Sequence, residues 1–141
     1  MTIHATSRPF GPADALLRIA IVGLTLGTAY IHSTLGGLLF TLNALGYLTF
    51  AVAMVVPLGI ASRFRWIIRI ALAGYAVTTI VGWVIDGPDI TIAYVAKAIE
   101  VALIALLLVD FVRFDGNPVN VVRRELRALL ARPSGRASGS V

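Results

Sequence analysis

Residues 15–60 form an almost continuous apolar run of 46 residues, which constrains the fold more than any other feature of this chain. One helical crossing of a hydrocarbon core about 30 Å thick takes about 20 residues. The run is therefore twice too long for one span and must turn back once. The turn is predicted at "HSTLGG", residues 32–37, where polar residues and two glycines interrupt the run.

The composition agrees with a membrane location. Only 13% of the 141 residues are charged and 58% are hydrophobic, with a mean hydropathy of +0.90, whereas a soluble domain has about 25% charged residues. At about 20 residues a span plus connections, the length accommodates about four spans. No room remains for a separate soluble catalytic domain.

The pattern predicts an all-α membrane protein with a four-transmembrane-helix bundle at 15–112. Short loops between the spans indicate that neighbouring spans are antiparallel. The predicted spans are 15–34, 37–59, 66–85 and 90–111. The flanking segments are a cytoplasmic N-terminal segment, 1–14, a basic tail helix, 113–132, and a disordered tail, 133–141.

Arginines set the expected orientation. They flank span 1, the loop between spans 2 and 3, and the end of span 4, while the other two loops contain no Arg or Lys. The positive-inside rule then places both termini in the cytoplasm. Eleven arginines against one lysine suggest a high-GC bacterial source and hence a bacterial cytoplasmic membrane. Because the arginines lie beside apolar runs, no nucleic-acid partner is expected.

The basic tail is predicted to form an amphipathic helix. Asn117 and Pro118 are typical of a helix cap and first turn, and valines and leucines then repeat at helical spacing. Arg123, Arg124 and Arg127 crowd the other face. This pattern predicts an interfacial helix on anionic lipids at the cytoplasmic surface; a solvated tail helix is the alternative.

Two ionisable residues interrupt span 4. Lys97, the only lysine, and Glu100 lie on one helix face, at depths of roughly 10 and 15 Å from the outer surface. Charged groups at such depth are expensive, costing about 2.5–3.5 kcal/mol on insertion scales, and usually mark function. The pair is either a functional site or a structural ion pair that locks span 4 into the bundle.

Other polar residues fall at similar depth in the outer half. Asn43, His32 and Tyr94 are the main candidates, which predicts a polar pocket with Lys97 and Glu100 if the helices rotate them inward. Alternatively, Asn43 forms a hydrogen bond to another span and stabilises helix packing. His32 is expected to cap the outer turn or to titrate there.

No cofactor, metal site or enzymatic activity is expected. The second histidine, His4, lies in the N-terminal segment, so a bis-histidine haem cannot form in the membrane, and cysteine is absent. Ser33 beside His32 has no acid to complete a triad.

Gly23 and Gly27 form a GxxxG pattern that permits close helix packing. The packing partner is either another span of the same chain or a second copy, so a homo-oligomer is one expectation.

The stretches "YIHSTLGGLLFTLNALGYLTFA" and "YVAKAIEVALIALLLVD" resemble parts of uncharacterised small four-span bacterial membrane proteins, over residues 15–111. This resemblance implies the span count and no site residues. Two functional hypotheses remain: a transport or permeation protein with an intramembrane site around Lys97 and Glu100, or an accessory or assembly subunit of a larger membrane complex.

The arginine asymmetry makes a topology prediction. Reporter fusions after Gly36 and Gly87 should report the outside of the membrane, and fusions after Ser62 and Val141 the inside, because flanking arginines are retained in the cytoplasm. An outside signal from the fusion after residue 62 would contradict this orientation.

Overall fold

The computed structural model describes residues 11–56, 65–114, 116 and 118–131. This part of the chain forms five helices: α1 (Pro12–Thr34), α2 (Leu38–Val55), α3 (Arg65–Asp86), α4 (Thr91–Phe114) and α5 (Pro118–Leu130). By length and composition, α1 to α4 are each able to cross a membrane. The prediction of an all-helical membrane protein with four spans is confirmed, and the observed bounds follow the predicted ones closely.

The four spans form a closed ring in which each helix packs mainly against two others. α1 packs on α2 and α4, α4 packs on α3, and α2 meets α3 over a smaller area. The short connections at 35–37 and 87–90 lie at one end of the bundle, here called the hairpin end. The start of α1 and the end of α4 lie at the opposite, terminal end. An even number of crossings places these two chain ends on the same side.

The α1–α2 connection depends on two glycines. Gly36 and Gly37 have φ of 72° and 82°, in the left-handed region that other residues adopt only with strain. Three residues are therefore enough to reverse the chain between two membrane spans. The predicted turn at 32–37 is confirmed, although α1 continues to Thr34 before the reversal.

Buried residues in the bundle alternate in steps of three and four along the chain, as in a left-handed coiled coil. The α1 seam consists of Asp14, Ile21, Thr25, Thr28 and His32. The α4 seam consists of Ala96, Glu100, Leu103, Leu107 and Asp110. Each seam thus has an ionisable side chain near each end, and the residues between them are apolar except Thr25 and Thr28.

The middle of the bundle is an apolar layer formed by Ile21, Leu72, Leu103 and Leu107, all fully or almost fully buried. Most other large apolar side chains of the spans are exposed. This distribution is expected when the surrounding solvent is lipid, since lipid tails are as apolar as leucine.

The tail helix α5 is present where the sequence predicts a helix. Val119, Leu126 and Leu130 expose their side chains, and so do Arg123 and Arg127. Its contact with a lipid surface stays a prediction. The predicted cap Asn117, the predicted disordered tail at 133–141, residues 1–10 and the 57–64 connection lie outside the described residues.

A peptide of residues 117–132 should be largely unfolded with neutral vesicles and become helical on anionic vesicles, because each arginine near an anionic surface contributes about 1 kcal/mol. Circular dichroism during vesicle titration measures this. The matched control replaces Arg123, Arg124 and Arg127 with Gln, and it should lose the preference for anionic lipid. Equal helicity of the parent peptide on both vesicle types would contradict the interfacial prediction.

Candidate functional site

Each membrane span contributes two polar side chains that lie about one helical turn apart. The pairs are Thr28 and His32 on α1, Asn43 and Tyr47 on α2, Tyr75 and Thr79 on α3, and Lys97 and Glu100 on α4. Residues three or four apart share a helix face, so each span presents its pair along one line. The bundle brings these lines together in its hairpin half.

Glu100 lies at the centre of this arrangement, with 0% of its surface exposed. Its Oε1 accepts a hydrogen bond of 3.0 Å from the Tyr47 hydroxyl, and its Oε2 accepts one of 2.6 Å from Lys97 Nζ. Charge-assisted bonds of this length are among the strongest in proteins. The carboxylate is therefore satisfied by one neutral donor from α2 and one cation from α4.

Lys97 and Thr79 connect the same group to α3. Lys97 Nζ donates a second hydrogen bond, of 3.2 Å, to the Thr79 carbonyl. The Thr79 hydroxyl lies 2.9 Å from the Tyr47 hydroxyl. We call His32, Tyr47, Thr79, Lys97 and Glu100 the Glu100 cluster. Its hydrogen bonds tie α2, α3 and α4 together at one depth in the membrane.

His32 brings α1 into contact with the cluster. Its Nδ1 donates to the Thr28 carbonyl at 2.9 Å, which fixes the ring orientation, and its Nε2 lies 3.8 Å from Glu100 Oε1. The ring also lies 5.6 Å from the Tyr47 ring. The side chain points into the bundle and does not cap the hairpin turn, so the capping interpretation is wrong. The polar environment of Glu100, not the turn, accounts for a histidine here.

Asn43 joins the site through Tyr75. The Tyr75 hydroxyl donates to Asn43 Oδ1 at 3.0 Å, and the Tyr75 ring packs edge-on against Tyr47 with 4.9 Å between centroids. Gly46 makes this approach possible, because a Cβ at this position would collide with the Tyr75 hydroxyl. A glycine on α2 therefore lets α2 and α3 close around the cluster.

A cavity of about 310 Å³ lies beside the cluster and reaches the two connections of the hairpin end. Its polar lining residues within the spans are His32, Asn43, Thr78, Thr79 and Lys97, and Asp86 lines it at the end of α3. The Lys97 side chain is 12% exposed. One end of the ion pair thus borders open space, while Glu100 presents no surface to it.

The structure brings four of the five predicted site residues together: Lys97, Glu100, His32 and, through Tyr75, Asn43. Tyr94 is not part of the cluster. It is 53% exposed, donates a 2.8 Å hydrogen bond to Asp89, and packs edge-on against Trp83 near the hairpin end. Its ring anchors the α3–α4 connection, because it stands on the outer face of α4.

Sequence reasoning missed two tyrosines of the site. Tyr47 follows Asn43, and Thr79 follows Tyr75, each at a spacing of four residues within an apolar span. A buried hydroxyl in a membrane must find a partner, so this spacing was the available signal. Tyr47 supplies Glu100 with a donor that carries no charge, and Tyr75 supplies the same to Asn43.

A second, partly buried group of charges lies at the terminal end. Arg69 of α3, only 2% exposed, pairs with Asp110 of α4, and Arg113 of α4 pairs with Asp14 of α1 at 2.7 Å. The Arg18 guanidinium lies 4.6 Å from the Phe114 ring centroid. We call Asp14, Arg18, Arg69, Asp110 and Arg113 the terminal cluster.

Arg69 is one of the arginines that follow the loop between spans 2 and 3, and its side chain lies inside the bundle. A flanking arginine is expected in water, whereas this side chain is buried against Asp110. The terminal cluster joins α1, α3 and α4 in the same way as the Glu100 cluster joins the spans at the hairpin end. Asp110 is ten residues after Glu100, about 15 Å along the helix.

The glycine pair on α1 is not a packing site within the described bundle. A Cβ built at Gly23 or Gly27 would meet no other atom within 4 Å. The expectation that this pattern packs against another span of the same chain is therefore not met. A contact with a second copy stays a prediction.

Among the described residues, no three His, Asp or Glu side chains lie together as metal ligands. Comparison with protein-family models, with curated proteins and with solved structures finds no match. The functional argument therefore rests on the geometry of the site.

Removing one member of the buried pair should destabilise the protein by about 3–5 kcal/mol, because the other charge is left uncompensated. We expect this loss for Lys97→Met, which leaves Glu100 with the Tyr47 hydroxyl. Glu100→Gln should cost less, since Lys97 keeps the Thr79 carbonyl and the cavity. The double variant should recover most of the loss. The melting temperatures of the three variants in mild detergent measure these differences in stability.

Tyr94→Phe is the matched control, because Tyr94 is exposed on the same helix; its effect should stay within about 0.5 kcal/mol. If Lys97→Met melted like the parent, Lys97 would not be the counterion of Glu100.

Proposed function

We propose that this chain is a small, non-enzymatic transport or permeation protein of the membrane. A solute enters the cavity at the hairpin end and binds beside the Glu100 cluster. Lys97, Asn43, His32 and Thr79 line the binding site. The observation that carries this proposal is the 310 Å³ cavity that borders the Lys97 ammonium within the span region.

The cavity supports ligand binding over a purely structural pair. A pair that only locks helices together is best served by complete burial, because water weakens its electrostatic attraction. Here the cation borders a cavity whose volume is at the lower end of the range of ligand sites, about 300–1,000 Å³. Intramembrane charged residues that face a cavity usually mark a solute or ion pathway.

The two ends of the bundle differ in the way that a transport protein requires. The hairpin end contains the cavity, whereas the terminal end is held by the ion pairs of Arg69 with Asp110 and of Arg113 with Asp14. Between them lies the apolar middle layer. This arrangement supports a state that is accessible from the hairpin side and closed toward the terminal side. Release of the solute requires the terminal pairs to separate.

The proposal includes the expected orientation in a bacterial cytoplasmic membrane, with both termini in the cytoplasm and α5 on its anionic inner surface. The cavity then faces outward. Arginines at the terminal end and in the tail support this direction.

An accessory subunit is the second candidate. Tyr47 and Lys97 satisfy both Glu100 oxygens, which is also what a purely structural pair needs. In that case the cavity would be packing space beside a partner's helix, and no solute would cross.

Single-cysteine labelling tests the proposal. The natural chain has no cysteine, so each variant carries one thiol. Gly82→Cys places it in the cavity lining, at an exposed position where a Cβ meets no other atom within 4 Å, and Val81→Cys places it one residue away on the exposed face of α3, outside the lining. A charged maleimide reacts with thiolates, which form in water and not in lipid. We expect Gly82→Cys to react at least about tenfold faster than Val81→Cys from the hairpin side.

Vesicles of both orientations separate transport from a structural role. A transport protein should also allow labelling of Gly82→Cys from the terminal side, at a lower rate than from the hairpin side, because the site becomes accessible there in turn. Labelling from the hairpin side alone, together with a stoichiometric partner in a mild-detergent pull-down, would favour the accessory subunit. Equal, low reactivity at both positions would contradict the claim that the cavity is open to water at the hairpin end.

A further inference from the structure

We infer that the cavity binds a small, uncharged organic molecule with an apolar body and a hydrogen-bond acceptor such as a carbonyl group. This inference rests on the proposed function and names the class of its solute. It depends on which hydrogen-bonding groups the cluster leaves available to the cavity, which charges remain uncompensated, and which side chains form the rest of the wall.

The acceptors of the cluster are already occupied. Glu100 accepts from Tyr47 and Lys97 through different oxygens and has no exposed surface. The Thr79 carbonyl accepts from Lys97, and Asn43 Oδ1 accepts from Tyr75. A solute that needs to donate hydrogen bonds therefore finds the cluster's strong acceptors satisfied.

Donors, in contrast, remain. An ammonium has three N–H donors, and Lys97 directs two of them to Glu100 and to the Thr79 carbonyl. The Asn43 amide uses its oxygen for Tyr75, and its NH₂ group makes no hydrogen bond to another described residue. Both residues line the cavity. Together they provide two donors from opposite sides of the bundle, α2 and α4, for one acceptor group.

The charge balance favours a neutral solute. Lys97 is neutralised by Glu100 at 2.6 Å, and the remaining charged lining residue, Asp86, is an anion at the end of α3. An anionic solute would add an uncompensated negative charge in a low-dielectric region. A cation would meet the Lys97 ammonium before it could approach Glu100. His32 faces Glu100 at 3.8 Å and adds no acceptor directed elsewhere.

The rest of the lining supports an apolar body of limited size. Most of the wall is formed by apolar side chains: Leu35, Leu39, Phe40, Trp83, Ala93 and Ala96. The Trp83 indole N–H is used by the Pro88 carbonyl at 3.0 Å, so this ring presents an apolar surface. At about 30 Å³ for each water-sized unit, the volume suits a molecule of about ten non-hydrogen atoms.

Four probes of similar size test the inference on the Gly82→Cys protein. Acetophenone has a neutral acceptor on an aromatic body, ethylbenzene lacks the oxygen, benzoate carries a negative charge, and benzylammonium carries a positive charge. Protection of the cysteine from maleimide is measured in detergent. At about ten times its Kd, acetophenone should slow labelling about tenfold, and the other three should protect less at the same concentration.

Asn43→Asp is the diagnostic variant. The carboxylate keeps an acceptor for Tyr75 but replaces the amide donor with a second oxygen, so acetophenone protection should fall at least about fivefold. Tyr94→Phe, outside the cavity lining, should retain full protection. Unchanged melting temperature shows that the Asn43→Asp protein is folded; if it is not, Asn43→Gln, which keeps the donor on a longer side chain, should retain partial protection.

The outcomes separate the two proposals. Absence of maleimide labelling in Gly82→Cys without any probe would overturn the proposed function. Normal labelling with equal protection by ethylbenzene would overturn the acceptor assignment and leave the cavity in place. Stronger protection by benzoate or benzylammonium would overturn the assignment of a neutral solute.

Discussion

The structure depends on the burial of one carboxylate. Glu100 lies near the middle of a membrane span without exposed surface, where no water is present to solvate it. Its compensation requires a cation from the preceding turn, a hydroxyl from α2 and the proximity of a histidine from α1. Because lipid gives helices no hydrophobic reason to associate, these polar contacts and close packing specify which faces meet.

The terminal cluster applies the same principle at the other end of the bundle. Arg69 and Asp110 join α3 to α4, and Asp14 and Arg113 join α1 to α4. α4 therefore carries the acidic residue of a polar group at each end, with leucines between. Buried ion pairs do not by themselves add stability, so we attribute to them the choice of register between spans. The hairpin end differs in that a cavity lies beside its cluster.

Several features of the site were predictable and others were not. Depth along the spans identified Lys97, Glu100, Asn43 and His32, because a charge or amide in an apolar run is conspicuous. Depth also suggested Tyr94, which faces outward. Rotation about the helix axis decides whether a side chain at a given depth faces the bundle interior or faces outward. This rotation depends on contacts between spans. The sequence also left the environment of Arg69 open, because a position near a span end is compatible with water or with a buried partner.

The sequence by itself determined the number of spans, their bounds, the glycine turn and the amphipathic tail helix, because hydropathy and backbone preferences are local properties. Tertiary structure decided which polar residues meet. It paired Tyr47 with Glu100 across 53 positions of the chain and Arg69 with Asp110 across two spans. It also created the cavity. Such contacts form only when each helix is rotated so that its polar side chains face those of its neighbours. That rotation is determined by the interactions between helices in the assembled bundle, which no single segment of the sequence specifies.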